Sequence, residues 1–194
     1  KGQRIFKSIG KNKCLLNVNG KTLIKKIIHD AKKNDIKKIT VVTGFRQNLI
    51  KKNLKKENIE YLHNNYYKKK EMLHSLVLAL KKYRSEDIFV TYSDIYFDSK
   101  IFKKIKSKVK SKNIVLIVNK KWKSVWKKRK KNIIDDCETL DYNSSFILKE
   151  IGKKITNVKK VKGQFMGCVF IPKNRINNFI NKYEKIEKKN NKFH

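Results

Sequence analysis

Apolar positions follow two alternating rhythms along the chain. Leu23, Ile24, Ile27, Ile28 and Ala31 recur at helical spacing, with Thr22 placed to cap. Ile39-Thr40-Val41-Val42-Thr43 is a β-branched run stopped by Gly44 and predicts a strand. Leu49, Ile50 and Leu54 suit a second helix, and Ile59 to Leu62 a short strand. Met72, Leu73, Leu76, Val77 and Leu80 predict a helix with a strongly apolar face. Ile88-Phe89-Val90-Thr91-Tyr92 reads as a strand running into Ser93-Asp94. Ser99 is placed to cap a helix with Ile101, Phe102 and Ile105 inward, and Ile114 to Val118 is another buried strand. Strands alternating with helices predict an α/β fold, with a mostly parallel sheet covered by helices on both faces.

The second half changes character. Cys137 to Tyr142, Phe146 to Ile151 and Gln164 to Ile171 read as shorter, more antiparallel strands, a β-rich insertion on the α/β core. Pro172 opens a last helix at its first turn, with Ile176, Phe179, Ile180 and Tyr183 on one face. No repeat and no Pro- or Ser-rich linker divides the 194 residues, which predicts one domain. Both ends read as cut: no Met opens the chain, and the tail dissolves into Lys and Asn.

Charge adds less than its size suggests. Lys and Arg number 51 against 16 acids, a net charge of +35. Such a field attracts polyanions at low salt. Yet 46 of the cations are Lys, spread from Lys1 to Lys192, whereas nucleic-acid readers favour the Arg fork. Lys, Asn and Ile supply 90 residues and Ala, Gly, Pro and Arg only 15, as A/T-rich codons would produce. A specific nucleic-acid partner is therefore not expected. No apolar run approaches the roughly 18 to 20 residues of a membrane span, and no signal-peptide pattern opens the chain. Three widely spaced cysteines, Cys14, Cys137 and Cys168, fit neither a disulfide scaffold nor a Cys-x-x-Cys metal site. They point to a reducing compartment, the cytoplasm.

In parallel sheets ligands sit beyond the carboxyl ends of the strands. The informative residues are then Gly44, Asn64 and, above all, Asp94. A carboxylate at such a place suits Mg²⁺, which takes one or two carboxylates and completes its shell with phosphates and water. The competing use of Asp94 is a turn or helix cap, for which Asp98 and Ser99 are also available. At the amino end, Gly2-Gln3-Arg4 and Lys13 carry groups that suit phosphate, but among 46 lysines one Lys near a Gly points to no site by itself, and only a wider pattern would give it meaning. Asp135, Asp136, Glu138 and Asp141 form an acidic cluster open to two readings, a cation site or a solvated turn. Trp122, Trp126 and Arg129 share a helical face, as core packing or as a ligand wall. The histidines lack metal-ligand spacing, and neither a Gly-x-Ser-x-Gly elbow nor a Walker loop is present.

The order of these residues resembles the nucleotidyltransferases that make sugar-nucleotide-type products. Within them it resembles the cytidylyltransferase-like branch acting on phosphocholine, phosphonate or related phosphorylated acceptors. Lys1-Gly2-Gln3-Arg4 matches the end of the family's Gly-rich signature, with the first strand missing. Lys13-Cys14-Leu15-Leu16 and Asn19-Gly20-Lys21-Thr22-Leu23-Ile24 match the segments that follow. Val41-Val42-Thr43-Gly44-Phe45 and Asn64, Tyr67 and Met72-Leu73-His74-Ser75-Leu76 come next, then Tyr92-Ser93-Asp94-Ile95. Trp122-x3-Trp126-x2-Arg129, Asp136-Cys137-Glu138-Thr139, Ile151-Gly152-Lys153-Lys154 and Gly163-Gln164-Phe165-Met166-Gly167 complete the series, which covers nearly the whole chain. Two departures stand out. Asn119 replaces the branch's usual Asp before the Trp segment, and the chain stops short of the family's second metal-binding Asp.

The resemblance implies a Rossmann-like nucleotidyltransferase fold and a nucleotidyl transfer, with CTP as donor, to a small phosphorylated acceptor with release of pyrophosphate. It implies Arg4 and Lys13 as catalytic cations, Gly2, Gly44 and Ser75 at the nucleotide, and Arg129, Glu138 and Gln164 at the acceptor. Asp94 would hold Mg²⁺. A homodimer is compatible with it. Three alternatives stay open: a sugar-1-phosphate guanylyl- or uridylyltransferase, a degenerate nucleotide-binding module without catalysis, and a polyanion binder.

Overall fold

The computed structural model describes residues 12–107, 112–129, 134, 137–158 and 161–190. The chain divides into two compact units, 1–115 with 169–194, and 116–168.

In the first unit, a single 3-10 turn, Lys13–Leu15, leads into a small antiparallel hairpin of β1, Asn17–Val18, and β2, Lys21–Thr22. Its turn residues Asn19 and Gly20 have φ of 52° and 78°, the backbone for which Asn-Gly is suited. Helix α1, Leu23–Lys33, starts where the Thr22 hydroxyl accepts from the Lys25 N–H. Strand β3, Thr40–Thr43, runs parallel to β4, Glu60–His63, with Thr40 opposite Glu60 and Thr43 opposite His63. Helix α2, Gln47–Asn53, connects them. Alternate residues Ile39, Val41, Ile59 and Tyr61 pack on a core of Cys14, Ile24, Ile28, Ile50 and Leu54.

A second core in the same unit joins helix α3, Met72–Lys82, strand β5, Ile88–Thr91, and the last helix, α6, Lys173–Asn190. Val77, Leu80, Ile171, Ile176 and Ile180 are its buried centre, with Phe179 and Tyr183 against them, as the periodicity predicts. Helix α4, Lys100–Lys106, buries Phe102 and Ile105. The α6 amino end follows Pro172, and the Lys173 N–H donates to the Asp87 carboxylate at 2.8 Å.

In the second unit, helix α5, Trp122–Arg129, packs Trp122 and Trp126 edge to face, centroids 6.2 Å apart, with Cys137, Ile155 and Val161. The tryptophans thus take the packing role of the two open to them. Strand β7, Glu138–Tyr142, pairs antiparallel with β8, Leu148–Lys154, as the second half of the sequence predicts. Two further strands, β6, Val115–Asn119, and β9, Gln164–Ile171, carry the chain out of the first unit and back. The sheet order is β5-β9-β6.

Two expectations about local structure need correction. Met72 and Leu73 are exposed, so the buried stripe of α3 begins only at Leu76. They occupy the first helical turn, and the core residues on α3 all belong to later turns. Ser99 occupies the cap position of α4 but makes no side-chain cap bond. The Lys100 N–H is instead taken by Asp98, at 2.8 Å, because an Asp two residues upstream reaches that donor directly. No helix among the described residues is long and apolar enough to cross a membrane.

Leu80 is fully enclosed between α3 and α6. Leu80→Ala is expected to lower unfolding free energy by about 3 kcal/mol, read from the midpoint of a urea titration.

Candidate active site

The turn at 13–15 has no regular partner strand, yet it touches the ends of two strands. Just before it, Asn12 Nδ2 donates to the Phe45 carbonyl at 3.2 Å, beyond the end of β3. Within it, the buried Cys14 thiol is close enough to Ser93, just beyond β5, for that hydroxyl to act on its ionisation. Lys13 then stands with its Nζ 4.0 Å from Asp94 Oδ2. Lys13 and Asp94 are 81 residues apart, and the burial of Cys14 beside Lys13 helps to bring them together.

The Lys13–Asp94 pair differs from other charge pairs among the described residues. Asp141 with Lys162, Glu57 with Lys32, Glu60 with Lys82 and Glu86 with Lys38 lie at 2.6 or 2.7 Å, in direct hydrogen bonds. At 4.0 Å, Asp94 keeps its oxygens out of any such bond with Lys13, and both side chains are about one-third exposed. Asp98 caps α4, so the turn-capping role open to Asp94 is filled by its neighbour. The result is an accessible carboxylate beside an accessible cation at a strand end.

Gly44 and Ser75 belong to the same unit. A Cβ on Gly44 would stand 2.6 Å from Tyr67 Cβ, so this glycine is required by a close approach of two chain segments. Ser75 Oγ accepts from Asn64 Nδ2 at 2.9 Å, and Asn64 Oδ1 accepts from the Tyr66 N–H at 2.9 Å. Asn64 is 1% exposed and ties the end of β4 to the first turns of α3. Gly2 and Arg4 lie outside the described residues.

In the second unit Gln164 is buried, and its amide donates to the Glu138 carbonyl at 2.9 Å, bracing β9 to β7. The Glu138 carboxylate borders Gly152, where an added Cβ would lie 4.0 Å from Oε2. Arg129 is the last residue of α5, and its side chain lies outside the described set. Of the acidic cluster, Asp135 and Asp136 are outside the described residues, while Asp141 is paired with Lys162 at 2.7 Å. No group of three or more His, Cys, Asp and Glu side chains suited to a metal occurs among the described residues.

Sequence reasoning missed two supports of this site: the Asn12 bond to Phe45 and the Asn64–Ser75 bond. Asn64 was legible as a post-strand residue. Asn12 was not, being one of twenty asparagines.

Burial pushes the Cys14 thiol up to about 11 from the ordinary 9.0; the Ser93 hydrogen bond pulls it back and the Asp94 charge adds to the rise. The folded state therefore holds this proton more tightly than the unfolded chain. Its contribution to stability is complete below pH 9 and is lost as pH rises towards 11. Alkaline titration of unfolding should show a fall in stability across that window, smaller in Cys14→Ala. A thiol reagent at pH 8 should label Cys14 far more slowly in the native than in the urea-unfolded chain, read by peptide mass.

The fold has close counterparts. The CTP:phosphocholine cytidylyltransferase of Streptococcus pneumoniae superposes with a TM-score of 0.64 at 16% identity, over 93% of this chain and 70% of that one. The inositol-1-phosphate CTP transferase of T. maritima gives 0.67 at 19% identity, over 91% and 68%. These likenesses establish the nucleotidyltransferase fold expected from the sequence. In sequence, the chain is 32% identical over 162 residues to the CTP:phosphoglutamine cytidylyltransferase of Campylobacter jejuni subsp. jejuni serotype O:2. That alignment takes in 80% of this chain and 62% of the relative's length. Residues 1–151 match the MobA-like NTP transferase domain, and the chain belongs to that family.

Proposed function

We propose that this chain is the nucleotidyltransferase domain of a CTP-dependent cytidylyltransferase, moving CMP to a small phosphorylated acceptor. An acceptor phosphate oxygen attacks the α-phosphorus of CTP, the bond to the β-phosphate oxygen breaks, and pyrophosphate leaves. The observation that carries this is the pairing of Lys13 Nζ and Asp94 Oδ2 at 4.0 Å, both accessible, at the end of β5.

The acceptor brings its own nucleophilic oxygen, so no covalent intermediate on the protein is needed. The barrier is repulsion between anions and charge growing on the leaving group. A protein lowers it by position and fixed positive charge. Lys13, held by its turn, supplies charge to the triphosphate, and Arg4 is assigned the same role by its place in the Gly-x-Arg signature. Gly2 would let backbone N–H groups approach phosphate. Gly44 and Ser75 are assigned to the nucleotide. Ser75 is held by Asn64, and Gly44 permits the close packing of the loop after β3. Arg129, Glu138 and Gln164 are assigned to the acceptor, Gln164 also fixing the backbone of Glu138.

Asp94 is the residue that would hold Mg²⁺. A single accessible carboxylate fits that ion, whose other ligands come from phosphates and water. Bound there, the ion would screen the negative charge of the phosphates in the transfer. Three buried free cysteines fit a reducing compartment such as the cytoplasm.

The test is pyrophosphate release by the complete protein with four NTPs and a panel of small phosphate and phosphonate acceptors. CTP is expected to be the preferred donor. Lys13→Ala and Asp94→Asn are each expected to lower turnover by about 100-fold or more, with unchanged circular dichroism. Wild-type pyrophosphate release in both variants would refute the assignment. Nucleotide binding without pyrophosphate would instead make the domain a binding module.

A further inference from the structure

Asp94 stands on a segment with little regular structure of its own. Strand β5 ends at Thr91 and α4 begins at Lys100, and between Ile95 and Asp98 the backbone is neither helix nor strand. What fixes that segment lies 71 residues earlier. Lys26, on α1, donates from Nζ to the Phe97 carbonyl at 3.2 Å. The same ammonium lies 4.8 Å from the centroid of the Tyr96 ring. It also pairs with Asp30, one turn along α1.

Lys26 therefore touches two of the three residues that follow Asp94 most closely. Below it, the Phe97 ring is buried against Phe102, centroids 5.6 Å apart. The segment is held by its ring from the core and by its carbonyl from α1. Lys26 and Asp30 are also unlike the surface pairs. Their side chains are 22% and 13% exposed, against 51% and 45% for Lys38 and Glu86. A pair so withdrawn from water gains little net stability, because desolvation offsets the attraction. Its contacts point to a task other than stability: Asp30 holds the ammonium, and the ammonium holds the segment that carries Asp94.

We propose that Lys26, oriented by Asp30, is a positioning residue that sets where the Asp94 carboxylate stands for the metal–nucleotide complex. This rests on the assignment of Asp94 to the metal. Lys26 touches neither nucleotide nor acceptor in this scheme, and it acts through the Tyr96 ring and the Phe97 carbonyl.

The test uses the complete protein, with Mn²⁺ as the probe ion in the presence of a non-hydrolysable CTP analogue. Mn²⁺ binding is read by electron paramagnetic resonance, alongside kcat, KM and the unfolding midpoint. Lys26→Met alone leaves the Asp30 carboxylate without its partner, so lost stability would confuse the result. Lys26→Met with Asp30→Asn removes both charges and is expected to restore the unfolding midpoint. It should still bind Mn²⁺ about tenfold more weakly and turn over about tenfold more slowly, the usual effect of losing a residue that orients a ligand. The acceptor KM should not change. Lys26→Arg, which keeps a donor and the charge, should stay within about twofold of wild type in both, as its cation can hold the same carbonyl.

Wild-type Mn²⁺ affinity and kcat in the double variant would overturn the inference while leaving the Asp94 assignment intact. If the double variant fails to fold, Lys26→Gln decides: about tenfold weaker Mn²⁺ binding at an unchanged midpoint, with Lys26→Arg still within about twofold of wild type, supports the positioning role, and a Lys26→Gln that binds Mn²⁺ as wild type does overturns it. A wild-type protein that neither binds Mn²⁺ with the analogue nor releases pyrophosphate would overturn the Asp94 assignment, and this inference with it.

Discussion

The candidate site depends on the seating of one short turn. Residues 13–15 make no ladder hydrogen bonds, and their place is set by burial of Cys14 among Ile24, Ile28, Ile50 and Leu54. The Asn12 bond to Phe45 then attaches that turn to the end of β3. Lys13 has no comparable anchor among the described residues. Its ammonium reaches Asp94 because the residue next to it is buried and the residue before it is tied down. A buried small side chain thereby determines where an exposed cation stands.

The abundance of lysine makes this placement decisive. With 51 cations and 16 acids, positive charge near any point on the surface is expected and says little about function. The acids are the scarce groups. Glu57, Glu60, Glu86 and Asp141 are each satisfied by a lysine at hydrogen-bond distance, and their charge is neutralised locally. Asp94 is close to a lysine without being bonded to it. That difference of little more than 1 Å separates a neutralised surface pair from a carboxylate available to a cation.

Other groups near strand ends serve the backbone. Gly44 lets the chain pass close to Tyr67, Asn64 ties β4 to α3 through Ser75, and Gln164 braces β9 to β7. Nucleotidyl transfer asks for little covalent chemistry and much geometry. A scaffold that invests its buried polar groups in holding loops suits that demand. Lys26 and Asp30 extend the pattern, joining a helix from the first part of the chain to the segment behind Asp94.

Much of the fold was legible in the sequence. Helical spacing located α1 and α6, each of which buries one face, and short runs of β-branched and apolar residues located β3, β5 and β9. The change of rhythm after Asn119 marked the antiparallel β7–β8 pair. Asp94 and Lys13 were legible as candidates by strand-end position and by order. Which acid stands near a described lysine without bonding to it was not, since Asp94, Asp98 and Asp141 are chemically alike and differ only in what stands beside them. Nor did periodicity reveal that Met72 and Leu73 are exposed, or that Lys26 reaches Phe97. Local pattern determined the elements, because backbone and burial preferences act over a few residues. The tertiary structure alone decided which polar groups meet, because a hydrogen bond or ion pair between residues 71 or 81 apart exists only once the chain has packed.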